Sequence, residues 1–265
     1  MIRASAMQPG GHGYRVAVIG MRLVLVALLL LAWQLGHQLL GTMYIAAPLA
    51  VVQRIAQIAA NGQLWPHVGA TLLASSLGFG IGWVLGFACA ALLNFSPRAA
   101  SAFEPYIMLA MGVPLFALIP LLILWFGIGI TPKIVIVVSL VFFIVFISTF
   151  SGLRSIDRKL LDMARVMGAS RGQIITKVSR HAILPHVFAG LKIAGPRAIS
   201  AAIVGEFLVA DRGLGYYIEQ SRQSVDPVGV FAGIALVTVL VMLTDIVLGW
   251  LQRRAFRWQH TATLF

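Results

Sequence analysis

Charged residues are scarce. Asp and Glu together number eight in 265 residues, and charged residues of both signs make up only 11%. Hydrophobic residues make up 60% and the mean hydropathy is +0.93, so the composition points to a membrane rather than to a solvated globule. Cysteine is nearly missing. Cys89 alone excludes a disulfide framework and a thiolate metal site within the chain, and its place inside an apolar run assigns it to packing. The histidines, at positions 12, 37, 67, 181, 186 and 260, show no metal-ligand spacing. No nucleophile stands in arrangement with a base, and the sparse polar residues form no set that would serve a membrane-embedded enzyme. A phosphate-binding G-x-x-x-x-G-K-[ST] is absent too, and none of Lys133, Lys159, Lys177 and Lys192 follows a glycine. The apolar runs do not alternate in the manner of barrel strands, which leaves helices to cross the bilayer.

Those runs predict one membrane domain with spans at roughly 20–41, 68–95, 104–127, 132–153, 187–210 and 229–251. Arg15 and Arg22 ahead of "LVLVALLLLAW" imitate a signal peptide, but no small-residue cleavage site follows promptly, so an uncleaved first span is expected. Residues 1–19, rich in Gly and polar residues, read as a flexible N-terminus, and 259–265 as a short tail. Between the first two spans Val51, Val52, Ile55 and Ile58 share a face, which predicts a surface helix.

Six spans place both termini on one side. That side holds fourteen Lys and Arg residues: Arg3, Arg15, Arg22, Arg98, seven from Arg154 to Arg180, and Arg253, Arg254 and Arg257. The other side holds four, Arg54, Lys133, Arg212 and Arg222, so the expectation is cytoplasmic termini. Topology thereby explains the net charge of +12, and no nucleic-acid partner is needed.

The most charged internal stretch is "DMARVMGASRGQIITKVSRHAILP". Leu160, Leu161, Ala164 and Met167 recur at helical spacing, Gly168 suits a helix end, and Ser170 with Gln173 forms a capping box that opens a second helix. Spacing alone leaves two readings: an amphipathic element held at the lipid surface, or a docking element. In the second span Ala74, Gly78, Gly82, Gly86 and Ala90 fall every four residues, a stripe for close helix approach, with packing inside the subunit preferred over a dimer contact. Pro114 and Pro120 are expected to kink the third span. Lys192, Arg197, Glu206 and Asp245 are ionisable residues within or near the last two spans, where charge costs roughly 2.5–3.5 kcal/mol on insertion scales. An Arg197–Asp245 ion pair is the preferred reading. The alternative places Arg197, Glu206 and Asp245 along a translocation path, with Arg197 attracting an anion.

Asp162, Met163, Ala164, Gly168, Ala169, Ser170 and Pro185 resemble the EAA loop of permease subunits of bacterial ATP-binding-cassette importers. Asp162 and Met163 stand where that pattern usually has Glu and Ala. "PLFALIPLLILWFGIGITPKIVIV", "FSGLRSID" and "GLKIAGPRAISAAIVGEFLVADRGLGYYI" extend the resemblance, to the nitrate, sulfonate and taurine branch, over roughly residues 45–258. It implies an all-α membrane protein of about six transmembrane helices, a type I importer transmembrane domain over 20–258, with the coupling loop at about 154–185. It further implies ATPase subunits that bind ATP and Mg, since this chain holds no cofactor, a solute-binding protein, a permease homodimer in the inner membrane, and alternating access. Gly213, Leu214, Gly215 and Tyr216 would then lie at an outer gate. The implied substrate is an organic sulfonate, taurine, nitrate or a similar anion, with a thiamine-precursor pyrimidine as the alternative. A secondary transporter independent of any ATPase is the competing class; it would need a coupling-ion site, for which Glu206 and Asp245 are titratable candidates.

Overall fold

The computed structural model describes residues 12–209 and 211–255. Among these residues every regular element is helical, and five helices are long and apolar enough to cross a membrane, or six if one bent pair counts as a span. They are α1 (His12–Leu40), α3 (Leu64–Asn94), α6 (Ile130–Arg154), α9 (Arg180–Val209) and α11 (Pro227–Ala255), with the bent pair α4 (Pro97–Met111) and α5 (Ile119–Phe126). Shorter elements are α2 (Pro48–Ala60), α7 (Arg158–Val166), a turn α8 (Arg171–Gln173) and α10 (Leu214–Gln223). Residues 12–19, expected to be flexible, form the first turns of α1, while 1–11 and the tail at 259–265 lie outside the described residues.

The core is built by α3, α6 and α9. Lipid is as apolar as Val or Leu, so helices associate through close packing, and small residues at the contact permit it. The stripe on α3 does this against α6 of the same chain. A Cβ added at Gly82 would lie 2.8 Å from the Val138 carbonyl oxygen, and one at Gly86 would lie 2.6 Å from that of Phe142. The facing residues Val137, Val141, Val145 and Phe146 are fully buried. Gly152 and Gly190 let α6 and α9 meet in the same way, against His186 and Ser148. The expected packing within the subunit is therefore what the stripe supplies.

The third span departs from a single kinked helix at 104–127. The chain forms α4 and α5 at 79° to each other, joined through a 3₁₀ turn at Leu115–Leu118. Pro114 takes an extended ψ of 93°, which no helix accommodates, and this breaks the span. Pro120 sits in the first turn of α5, where its missing N–H is harmless, so it starts a helix instead of kinking one. Ser96 opens α4 earlier than expected by accepting a hydrogen bond from the Ala99 amide at 3.3 Å. In α2 the buried face is Val51 and Ile58, whereas Val52, placed on that face by periodicity, is exposed. Helix α1 is tied at its C-terminal end, where Trp33 Nε1 donates to the Ala46 carbonyl at 2.9 Å and the ring stacks on Phe231; its apolar side chains from Val16 to Leu31 are largely exposed.

Candidate functional site

Apart from Arg197 and Asp245, the sequence-predicted residues gather toward two opposite ends of the helix bundle, joined by α9. At one end, Asp157 caps α7 by accepting from the Lys159 amide at 2.9 Å. The helix ends in a Schellman motif: the Ala169 amide donates to the Ala164 carbonyl at 3.0 Å and the Gly168 amide to that of Arg165 at 2.9 Å. This motif needs a left-handed residue, and Gly168 supplies it with φ of 80°. The capping box is reciprocal, Gln173 Oε1 accepting from the Ser170 amide at 2.8 Å and Ser170 Oγ from the Gln173 amide at 3.3 Å.

Leu161, Ala164 and Ala169 are half-buried, while Val166 and Met167 are 89% and 84% exposed and Met163 is exposed beside them. Asp162 pairs with Arg165 at 2.7 Å on the surface. An apolar rim is thus presented on a rigidly capped turn. Pro185, read as the end of this loop, lies instead inside α9, which continues from α8 through a π-helical stretch at Ile174–Ser179. The proline has no amide to bond its i−4 carbonyl, so a helix can run through it only with local adjustment.

At the other end, Glu206 is 1% exposed. Its carboxylate accepts from Thr71 Oγ1 at 2.9 Å and from the Gly215 amide at 2.8 Å. Thr71 Oγ1 in turn accepts from the Leu214 amide at 2.9 Å, so one acid and one hydroxyl satisfy the opening amides of α10. The loop can come this close only because it lacks side chains at two positions. A Cβ at Gly213 would strike the Glu206 carboxyl group, and one at Gly215 would strike the Ile203 carbonyl. Leu214 is buried against Ile58 and Leu64. His67 Nδ1 accepts from the Gly213 amide at 3.2 Å and its ring stacks on Tyr216 at 6.0 Å. Lys133, also buried, donates to the Arg212 carbonyl at 3.5 Å and lies close enough to attract the Glu206 charge.

Glu206 therefore clasps the Gly213–Tyr216 loop, so the acid expected along a path and the residues expected at a gate form one cluster. Thr71, His67 and Lys133 escaped the sequence reading; the one available signal was Thr71 with Ser75, two hydroxyls a turn apart in an apolar span. Nearby, Arg54 pairs with Asp226 at 3.1 Å. Burial pushes the Tyr217 phenol up, with Arg54, Asp226 and Ser221 close by and none in hydrogen-bond geometry with its hydroxyl. Hydrogen bonds from Arg222 and Gln223 hold the Glu219 carboxyl at about 2. Arg54, Lys133, Arg212 and Arg222 all stand at this end, as their grouping on one side requires.

The Arg197–Asp245 ion pair is not formed among the described residues; both side chains are exposed. They stand on α9 and α11, and the faces those helices turn to each other are occupied by small and aliphatic residues such as Gly195 and Leu248. Arg197 is thus separate from the Glu206 cluster and from Asp245.

An all-helical membrane bundle with these two ends is the fold of an importer transmembrane domain. The chain superposes on a subunit of the MetNI methionine ABC transporter in an inward-facing conformation with a TM-score of 0.63 at 20% identity, over 73% of this chain and 97% of that one. Residues 78–257 match the model of the binding-protein-dependent transport system inner membrane component, and the chain belongs to that family. It is 32% identical over 241 residues to a Bacillus subtilis protein described as an aliphatic sulfonates transport permease, SsuC, covering 90% of this chain and 87% of that one. It is equally 32% identical to the formylaminopyrimidine transport permease ThiX of Halalkalibacterium halodurans, over 82% and 86%. The chain is accordingly a multi-pass permease subunit of an ATP-binding-cassette importer, not an enzyme, and membership in this family implies an ATPase and a substrate-binding protein as partners. The ATPase-independent transporter is set aside with that assignment.

Proposed function

We propose that the chain imports a small organic anion, an aliphatic sulfonate such as taurine foremost, as a permease homodimer whose termini face the cytoplasm. Two ATPase subunits dock on the capped turn formed by Asp162, Met163, Ala164, Gly168, Ala169 and Ser170. The observation that carries the docking is the exposed apolar rim of Met163, Val166 and Met167 on a rigid, polar-capped turn. An apolar surface of this kind at the end rich in Lys and Arg suits a protein groove better than solvent. The substrate reading rests on the aliphatic sulfonates permease among the relatives and on Arg197, an exposed guanidinium on α9 without Asp245 as its counter-ion. The pyrimidine reading keeps its support from ThiX and predicts no dependence on Arg197.

The ATPase-driven movement of this turn passes through α9 to the Glu206 clasp, which opens and closes the loop at Gly213–Tyr216. Solute then meets alternating access from the two sides. Two measurements test the reading. Co-purification with the candidate ATPase should retain the complex for wild type and lose it for Gly168→Asp, whose side chain meets open space but strains the left-handed turn itself, and for Met167→Asp, which charges the exposed rim and leaves that backbone unchanged. Uptake into proteoliposomes containing the ATPase and binding protein should favour an aliphatic sulfonate over formylaminopyrimidine and fall about tenfold in Arg197→Gln, the loss of one charge-assisted contact. Retention of the ATPase by the Gly168→Asp chain sinks the docking site, and sulfonate uptake unchanged in Arg197→Gln sinks the role of Arg197.

A further inference from the structure

Between α3, α9 and α11 lies a cleft of about 690 Å³, walled by apolar side chains that include Trp83, Phe87 and Leu248. Among the described residues three cations line it, Arg180, Lys192 and Arg254, and no acid does. Arg180 begins α9 and Arg254 ends α11, so both stand at the same end of the cleft. Lys192 lies about 18 Å further along α9 at 1.5 Å per residue, near the middle of the span.

Side chains on a helix lean toward its N-terminus. Lys192 on α9 therefore leans toward Arg180, while Arg254 on α11 leans back along its own helix, its guanidinium 5.6 Å from the ring of Trp250 one turn earlier. The two cations reach toward one another inside an apolar trough. A lone ammonium at that depth is costly without an anion beside it, and a free inorganic anion would leave the long apolar walls uncovered.

The geometry points to a binding site for one anionic phospholipid, its phosphate between Lys192 and Arg254, Arg180 at the mouth, and an acyl chain along Trp83 and Phe87. Basic pockets between membrane helices on the cytoplasmic side recognise headgroups in this way. The site is independent of which solute is imported.

The test uses the full chain with its ATPase in phosphatidylcholine nanodiscs carrying brominated phosphatidylglycerol or brominated phosphatidylcholine at rising mole fraction. Bromine on the acyl chain quenches nearby tryptophan, and the difference between wild type and Trp83→Phe isolates Trp83. Half-maximal quenching is expected at roughly tenfold lower mole fraction for the anionic lipid, with the preference falling to within about twofold in the Lys192→Gln/Arg254→Gln double variant. Equal quenching by both lipids, or a preference that survives the double variant, overturns the site. So does an absence of quenching by either lipid, which would show the cleft covered by protein such as a second copy. Loss of the preference in millimolar inorganic phosphate would reassign the cations to a soluble anion and likewise overturn it.

Discussion

Glu206 illustrates how a single acid is made tolerable inside a membrane domain. Its oxygens are occupied by Thr71 and the Gly215 amide, and Gly213 gives it room. Glu206→Ala leaves a buried hydroxyl and a buried amide without their acceptor, and at 1–3 kcal/mol for each unsatisfied group the loss should be about 3 kcal/mol. Glu206→Gln keeps one acceptor oxygen and should cost less than half as much. The unfolding midpoint of the purified chain in mixed detergent measures both, and equal losses would assign the effect to the charge facing Lys133. Gly213→Ala is expected to match Glu206→Ala, since its methyl displaces the same carboxylate. The acid itself was readable in the sequence as an expensive residue at membrane depth. Its partner was not, because Thr71 stands 135 positions away, and the pair of hydroxyls Thr71 and Ser75 in an apolar run does not say what either of them bonds. The Arg197–Asp245 expectation failed for a related reason: opposite charges on neighbouring helices say nothing about which way each faces.

Among the elements, α3 offers a clean contrast between two glycines. Gly82→Leu drives a side chain into Val138 and Val141, and separating α3 from α6 should cost about 3 kcal/mol or more. Gly80→Leu, two residues away, meets nothing within 4 Å and should leave the unfolding midpoint nearly unchanged. If the two variants behave alike, the stripe does not form the contact described here. This stripe was legible in the sequence because its period of four is a property of one helix. The 79° break between α4 and α5 was only half legible. Pro114 announced a disturbance, but a proline inside an apolar run has two outcomes, a kink or a break, and the extended ψ that decides between them depends on where α5 finds its packing partners on α6. The capped turn at Gly168 and Ser170 was fully legible, since a Schellman glycine and a capping box are local in sequence. Pro185 was misplaced because the resemblance located a proline without saying whether the helix had already begun.

For the whole molecule, the proposed orientation rests on the distribution of Lys and Arg and is open to a direct check. In a Cys89→Ala background, Ser224→Cys near the clasp should react with a membrane-impermeant maleimide on intact cells, and Ser170→Cys should react only after permeabilisation. The reverse pattern overturns cytoplasmic termini. The two ends so labelled share one continuous helix. With 30 residues α9 is about 45 Å long, beginning beside the capped turn and carrying Glu206 near its far end. Because a coupling free energy acts equally in both directions, if the nucleotide state loosens the Gly213–Tyr216 loop through α9 as proposed, events at that loop must also alter how tightly the ATPase is held. A loaded binding protein that stabilises the unclasped loop should then raise ATPase affinity on the opposite face by the same factor by which the ATPase raises affinity for the binding protein. Glu206→Ala, with the clasp already lost, should sever that reciprocity while leaving each partner its own docking surface.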